Sequence, residues 1–164
     1  KVILIDCDLR KNIKGKNYGK GLSEILYETS TLEEVLAEST NPHCDYINRG
    51  GYTSMPSELL ASAKFSDFIK RLREIYDLVI IDTPPMNLFS DAQWVCRQSD
   101  FALLIMRSGA YSMDQIKENL KSLEVAVEHK AIVMNHCSNG ESLGYGYGYG
   151  YGYGYGNGYN IKNT

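Results

Sequence analysis

The chain has 164 residues, a length that suits one folded domain with a substantial core. Hydrophobic residues make up 43% of the sequence and charged residues 23%, and a net charge of -3 gives no electrostatic reason to expect nucleic acid as a partner. No apolar run approaches the ~20 residues that cross a bilayer, no signal peptide opens the chain, and the four cysteines lack paired spacing, so we expect a cytoplasmic protein with reduced thiols.

Apolar runs alternate with amphipathic segments through the first part of the chain. The runs are short and rich in β-branched residues, which predicts buried parallel strands at 2–5, 78–81, 101–106 and 131–134. Capping residues and apolar spacings of three and four predict helices at 22–28, 32–38, 56–76 with a break near Ser66, and 112–128. This order predicts an α/β fold, a mostly parallel sheet with helices on both faces.

The composition changes abruptly after Ser138. From Gly144 to Gly156 glycine and tyrosine alternate strictly. Glycine at every second position raises the entropic cost of ordering and removes half of the side chains that would pack, so we expect a disordered tail. The predicted division is therefore a folded domain at 1–139 and a Tyr/Gly-rich tail at 140–164.

Three aspartates follow two of the predicted strands. Asp6 and Asp8 come after the first strand, and Asp82 ends the second and begins the turn Thr83-Pro84-Pro85. Open α/β sheets bind ligands beyond the carboxyl ends of their strands, and converging carboxylates there favour Mg²⁺ with nucleotide phosphates. The alternative is structural: Asp6 and Asp8 cap a turn, and Asp82 only starts its loop.

Three segments resemble one known family. Residues 2–10, Val-Ile-Leu-Ile-Asp-Cys-Asp-Leu-Arg, resemble the Walker A′ motif of deviant P-loop ATPases and bacterial tyrosine kinases. Residues 76–85, ending in Asp-Thr-Pro-Pro, resemble their Walker B segment, and Pro56-Ser57-Glu58-Leu59-Leu60 is similar to a segment of the kinases of capsule and exopolysaccharide assembly. The resemblance covers about residues 1–137 and implies the fold of P-loop NTPases.

The sequence departs from the family pattern at its front. The family places a strand, a glycine-rich loop ending in Gly-Lys-Ser/Thr and a helix before Walker A′, and none of these is present in the sequence. We therefore expect the chain to be an N-terminally truncated kinase domain that is inactive alone, although a genuine loss of Walker A is the alternative.

The resemblance also implies roles for individual residues, with ATP and Mg²⁺ as cofactors. Asp8 and Asp82 would hold Mg²⁺, and Asp6 would accept the proton of the tyrosine hydroxyl. Asn135 matches a position that hydrogen-bonds adenine, with a plain strand-end turn as the alternative. Arg10 would meet a phosphate or a carboxylate, or would only anchor its loop.

The terminal tyrosines are implied to be autophosphorylation sites. They are Tyr145, Tyr147, Tyr149, Tyr151, Tyr153, Tyr155 and Tyr159. The tail reaches at most roughly 70 to 80 Å, so transfer in trans within a homo-oligomer, expected to be a ring, is geometrically easy. The family also implies control of capsular or exopolysaccharide synthesis and export, and a membrane activator of the polysaccharide co-polymerase type, fused or separate, that holds the kinase at the inner face of the plasma membrane.

The sequence allows two alternative functions. A partitioning or cell-division ATPase of the same fold would hydrolyse ATP without phosphorylating protein, but its membrane-targeted members end in a basic amphipathic helix. A non-enzymatic aromatic module would use the Tyr/Gly tail for self-association or stacking on single-stranded nucleic acid. The tail contains no arginine and only Lys162, after the repeat, so nucleic-acid binding is disfavoured.

Overall fold

The computed structural model describes residues 1–11, 19–37 and 43–137. Six strands are assigned there: β1 (Val2–Asp6), β2 (Leu36–Ala37), β3 (Cys44–Ile47), β4 (Leu78–Asp82), β5 (Phe101–Arg107) and β6 (His129–Asn135). Six helices accompany them: α1 (Leu22–Leu26), α2 (Leu32–Val35), α3 (Pro56–Leu60), α4 (Ala63–Ile75), α5 (Asp91–Cys96) and α6 (Met113–Glu124). The predicted alternation of strands and helices, and with it the α/β class, is confirmed.

The strands form two sheets, and all but one of the pairings are parallel. The larger sheet has the order β2-β3-β1-β4, in which only β2 runs antiparallel to its neighbour, and the smaller sheet pairs β5 with β6. The central strand β1 has a partner on each side, so both of its backbone edges are paired, and its side chains are alternately half-buried and buried. Ile3 and Ile5 are fully buried in the main core, which the apolar side of α4 also lines.

Helix α4 illustrates how the sequence sets these elements. The Ser62 hydroxyl accepts a hydrogen bond from the Phe65 amide at 3.2 Å and so caps the helix. The buried side chains Phe65, Phe68, Ile69 and Leu72 recur at helical spacing along one face. Their burial holds α4 against the larger sheet.

A cleft separates the two sheets. About 890 Å³ in volume, it is lined by residues of β4 and β5, and its floor includes Ile69 of α4 and Val95 of α5. Within the described part of the chain, β4 pairs only with β1 and β5 only with β6, so each strand turns one unpaired edge to the cleft. Leu78, Ile80 and Leu103 are about half exposed there, an unusual state for apolar residues of parallel strands.

Several predicted boundaries were wrong. The helix predicted at 56–76 breaks at Ser62 rather than near Ser66, because Ser62 caps a new helix. Helix α6 ends at Glu124 instead of continuing to 128, because exposed Val125 is followed by a turn that brings Val127 into the core. The helix predicted to reach 38 ends at Val35, where the chain enters β2.

Some predictions concern residues outside the described part. The Tyr/Gly tail at 140–164 lies there, so its predicted disorder stays a prediction. None of the helices in the described ranges combines the length and the apolar character that crossing a bilayer requires. Cys7, Cys44, Cys96 and Cys137 form no disulfide within the described ranges.

Candidate nucleotide and magnesium site

The parallel pairing of β1 and β4 brings the predicted aspartates to one sheet edge. Asp6 lies opposite Asp82 in the strand register. The first residue beyond β1 extends the contact, since the Cys7 amide donates to the Asp82 carbonyl at 2.8 Å. The carboxyl ends of the two central strands are therefore fixed side by side, where open α/β sheets bind their ligands.

The loop after β1 folds back on its own backbone. The Asp6 Oδ1 atom accepts a hydrogen bond from the Asp8 amide at 2.9 Å, and the Leu9 amide donates to the Cys7 carbonyl at 2.9 Å. Asp6 therefore stabilises the turn through one carboxylate oxygen, which agrees with the alternative that Asp6 caps a turn. Asp8 is half-buried and Asp82 is exposed.

The thiol between the two aspartates points into the core. Cys7 is fully buried, and burial together with the negative charges of Asp6 and Asp82 raises the pKa of its thiol well above the usual range. The side chain is therefore a neutral apolar anchor for the loop. Burial alternates along this segment, so that Cys7 is buried while its neighbours Asp6 and Asp8 are only half-buried.

The geometry suits a partial rather than a complete metal site. Within the described ranges, no three Asp, Glu, His or Cys side chains come close enough to hold a metal ion, so the expected convergence of all three aspartates is not found. The Asp6 side chain is instead turned toward the Asp8 amide. Mg²⁺ commonly takes only one or two carboxylates and completes its shell with phosphate oxygens and water. Asp8 and Asp82 fit that requirement, and their role as ligands stays a prediction.

Arg10 is held in a network of its own. Its Nε atom donates to Asp91 Oδ2 and its Nη2 atom to Asp91 Oδ1 at 3.0 Å, while Nη2 also donates to the Ser57 hydroxyl at 2.7 Å. The Ser57 hydroxyl in turn donates to Asp91 Oδ1 at 2.6 Å. The Phe89 ring covers the guanidinium at 4.4 Å. Of the predicted alternatives for Arg10, the structure therefore places it on a carboxylate.

Asp91 is a fully buried carboxylate that stays charged. Burial alone would raise its pKa, but the hydrogen bonds from Arg10 and Ser57 outweigh that effect and hold the pKa below the usual value. The hydrogen bond to Asp91 also raises the pKa of Arg10. Sequence reasoning missed both Asp91 and Ser57 as site-supporting residues. A usable signal was the aspartate that opens an apolar helix at Asp91-Ala92, since Asp is seldom buried unless paired.

Asn135 ends β6, on the smaller sheet. Its side-chain Oδ1 accepts from the His136 amide at 2.8 Å, and its carbonyl accepts from the Ser108 amide at 2.8 Å. The first bond forms the strand-end turn that was the alternative to adenine binding, and the second continues the pairing of β5 with β6. The exposed side chain keeps its NH₂ group outside this turn, and adenine binding stays a prediction.

Known proteins are similar in sequence to this chain over most of its length. The tyrosine-protein kinase etk of Escherichia coli K12 is 36% identical over 150 residues, 88% of this chain and 21% of the relative. The tyrosine-protein kinase wzc of Salmonella typhimurium is 32% identical over 140 residues, 82% of this chain and 20% of the relative. The chain thus spans about a fifth of the curated relatives it matches. No family model matches.

Solved structures share the fold. The kinase domain of Escherichia coli tyrosine kinase ETK superposes with a TM-score of 0.76 and 35% identity, covering 92% of this chain and 61% of that one. The kinase domain of VpsO superposes with a TM-score of 0.75 and 28% identity, covering 84% of this chain and 71% of that one. A plasmid partition protein from Borrelia burgdorferi, with a TM-score of 0.57 and 15% identity, shares the fold alone. The chain is therefore a homologue of the bacterial tyrosine-protein kinases, over a stretch that matches their kinase domain.

Proposed function

We propose that this chain is part of an ATP-dependent protein-tyrosine kinase that phosphorylates the tyrosines of its own tail. The observation that carries the proposal is the pairing of Asp6 with Asp82 across β1 and β4, at the ligand-binding edge of a chain homologous to tyrosine kinases. The relatives named as kinases are 32 to 36% identical, whereas the partition protein of the same fold is only 15% identical. That contrast favours a kinase over a partitioning ATPase.

The residues at this edge suit phosphoryl transfer to a phenol. Bound ATP with Mg²⁺ supplies the γ-phosphoryl group and neutralises its charge. Exposed Asp82 and half-buried Asp8 would ligate the metal, in part through water. As the bond from the tyrosine oxygen to phosphorus forms and the bond to ADP breaks, the phenolic proton would pass to Asp6. A phenol with a pKa near 10 is protonated at neutral pH and gains from such an acceptor.

The cleft between β4 and β5 is the place where the site would be completed. Both flanking strands run parallel to their partners and expose alternate apolar side chains to the cleft, among them Ile80 and Leu103. A third parallel strand would pair with both edges, and the helix that follows it would cover these side chains. We propose that a strand, phosphate-binding loop and helix preceding Lys1 in a longer polypeptide fill the cleft, which would place the loop beside Asp6 and Asp82.

The remaining parts of the function concern the whole protein. We propose that it acts in capsular or exopolysaccharide synthesis and export, in a homo-oligomer whose tails are phosphorylated in trans. A membrane activator, fused or separate, would hold it at the inner face of the plasma membrane. Each added phosphate carries about -1.5 to -2 charges, so a filled tail would repel neighbouring subunits and loosen the assembly.

The direct test replaces the exposed carboxylate without changing its shape. In the full-length kinase, Asp82→Asn should lower autophosphorylation by more than about tenfold, because about 1.4 kcal/mol of lost transition-state stabilisation suffices for that factor. The measurement is the rate of radiolabelled phosphate incorporation from ATP with Mg²⁺. Asp67→Asn, at an exposed position of α4 that pairs with Lys70 (3.0 Å), is the control and should leave the rate unchanged. An unchanged rate in Asp82→Asn would remove this residue from the site.

A further inference from the structure

The network of Arg10, Asp91 and Ser57, here called the loop clamp, joins three separate parts of the chain. Arg10 follows Asp8 by two residues, Ser57 lies in the first turn of α3, and Asp91 opens α5. Every member contacts both others, through the bidentate ion pair and the two hydroxyl hydrogen bonds. The clamp is thus a closed triangle of charge-assisted hydrogen bonds, the strong kind in proteins.

Besides the Phe89 ring contact, two hydrogen-bonded ties join the loops that carry the aspartates in the described part of the chain, and the clamp supplies the second. The first tie is the Cys7 amide on the Asp82 carbonyl. The second is Arg10 on Asp91, at the far end of the loop that follows Asp82. Since Asp8 lies between Cys7 and Arg10, both ends of its loop are fastened to the loop that begins at Asp82. The position of Asp8 relative to Asp82 therefore depends on the clamp.

The clamp also occupies Arg10. Three of the five guanidinium N–H donors are directed to Asp91 and Ser57, and the Phe89 ring covers one face. Turning Arg10 toward a phosphate would leave the fully buried Asp91 carboxylate without its cation, which is costly. Packing alone gives no reason for such a pair, because apolar residues often serve a core equally well.

We propose that Asp91 is a positioning residue, which acts through Arg10 and Ser57 to hold Asp8 at its working distance from Asp82. The inference rests on the proposed kinase function. Small misplacements of catalytic groups can cost as much as about 100-fold in rate while leaving substrate binding nearly intact. A positioning role therefore predicts an effect on kcat, whereas a phosphate contact by Arg10 predicts an effect on the KM for ATP.

A double-mutant cycle in the full-length kinase separates these roles. Asp91→Asn and Arg10→Gln should each lower kcat of autophosphorylation by about tenfold or more, with the KM for ATP changed by less than about threefold. The double variant should lose no more than the worse single variant, because both remove the same unit. Ser57→Ala, a small change at a half-buried position, should lower kcat by about threefold, with the KM for ATP unchanged.

Controls keep each outcome decisive. Arg71→Ala removes a surface ion pair with Glu33 (3.7 Å) and should behave as wild type. If thermal scans show that Asp91→Asn is unfolded, Arg10→Gln and Ser57→Ala carry the test. The proposal would be overturned if the kcat losses of the two single variants added in the double variant. It would also be overturned if Arg10→Gln raised the KM for ATP about tenfold and left kcat unchanged. An inactive wild-type protein would instead contradict the kinase function itself.

Discussion

Asp6 and Asp91 are both carboxylates at the end of a regular element, but their partners give them different properties. Asp6 is half-buried and accepts a hydrogen bond from the Asp8 amide. Asp91 is enclosed by Arg10 and Ser57, and its pKa is lowered despite burial. If Asp6 reacts as proposed, its surroundings, rather than its residue type, separate it from a supporting carboxylate such as Asp91.

A glycine in the loop after β3 shows a similar dependence on surroundings. Gly50 has a φ of +85°, and a Cβ there would lie 2.1 Å from Glu24 Oε2 and 2.3 Å from the Ser23 hydroxyl. The Glu24 carboxylate cannot move without cost, because it accepts hydrogen bonds from the Gly21 and Gly51 amides. We therefore expect Gly50→Ala to destabilise the domain by about 3 kcal/mol, from backbone strain and lost hydrogen bonds.

Gly109 supplies the matched control for this prediction. It has a similar φ of +72°, but a Cβ there would have nothing within 4 Å. Gly109→Ala should therefore cost only the backbone strain, about 1 kcal/mol. Urea unfolding of both variants gives the two values. Equal losses would mean that the contacts around Glu24 contribute nothing to the difference.

At the level of elements, the sequence predicts those strands that are continuous apolar runs. The strands β1, β4, β5 and β6 were predicted because each is a run of β-branched and aliphatic residues. Strand β3 was missed because Asp45 interrupts its pattern. The structure compensates for that charge, since the Tyr76 hydroxyl donates to Asp45 at 2.6 Å. Such a partner, 31 residues away, is invisible to local pattern.

The residues of the candidate site also divide into those predicted from local sequence and those recognised only in the fold. Asp6, Asp8 and Asp82 were predicted as site residues because each ends or follows an apolar run, which is a local signal. The contact of Arg10 with Asp91 joins residues 81 positions apart, and its partner Ser57 stands in a different helix. Only the folded chain brings these three together, so the sequence left the role of Arg10 open.

The open edges of β4 and β5 lead to a prediction at the same scale. If a preceding strand fills the cleft in the full-length kinase, the amides that face it become hydrogen-bonded. Hydrogen exchange at alternate amides of β4 and β5 should then be about tenfold or more slower in the full-length protein than in residues 1–164 alone. Amides of β1, which has a partner on each side already, should change less. Equal exchange at β4 and β5 in the two proteins would contradict a strand in the cleft.

At the scale of the whole molecule, the proposed kinase combines a rigid site with a substrate on its own chain. The tyrosines from Tyr145 to Tyr159 follow the described domain after a short connection. On the proposal, a tail of about 22 residues that behaves as a coil would average roughly 25 Å end to end, a span suited to transfer between neighbouring subunits. Alternating glycine is expected to leave the tyrosine hydroxyls accessible to an incoming site.

Mapping phosphate on the full-length kinase tests this account most directly. After incubation with ATP and Mg²⁺, mass spectrometry should find phosphotyrosine chiefly between Tyr145 and Tyr159. Changing the seven tail tyrosines to Phe, which keeps the rings and removes only the nucleophile, should abolish most of this phosphate while ATP hydrolysis and the fold are retained. ATP hydrolysis without phosphotyrosine, or phosphate confined to Tyr18, Tyr27 or Tyr46, would contradict the account.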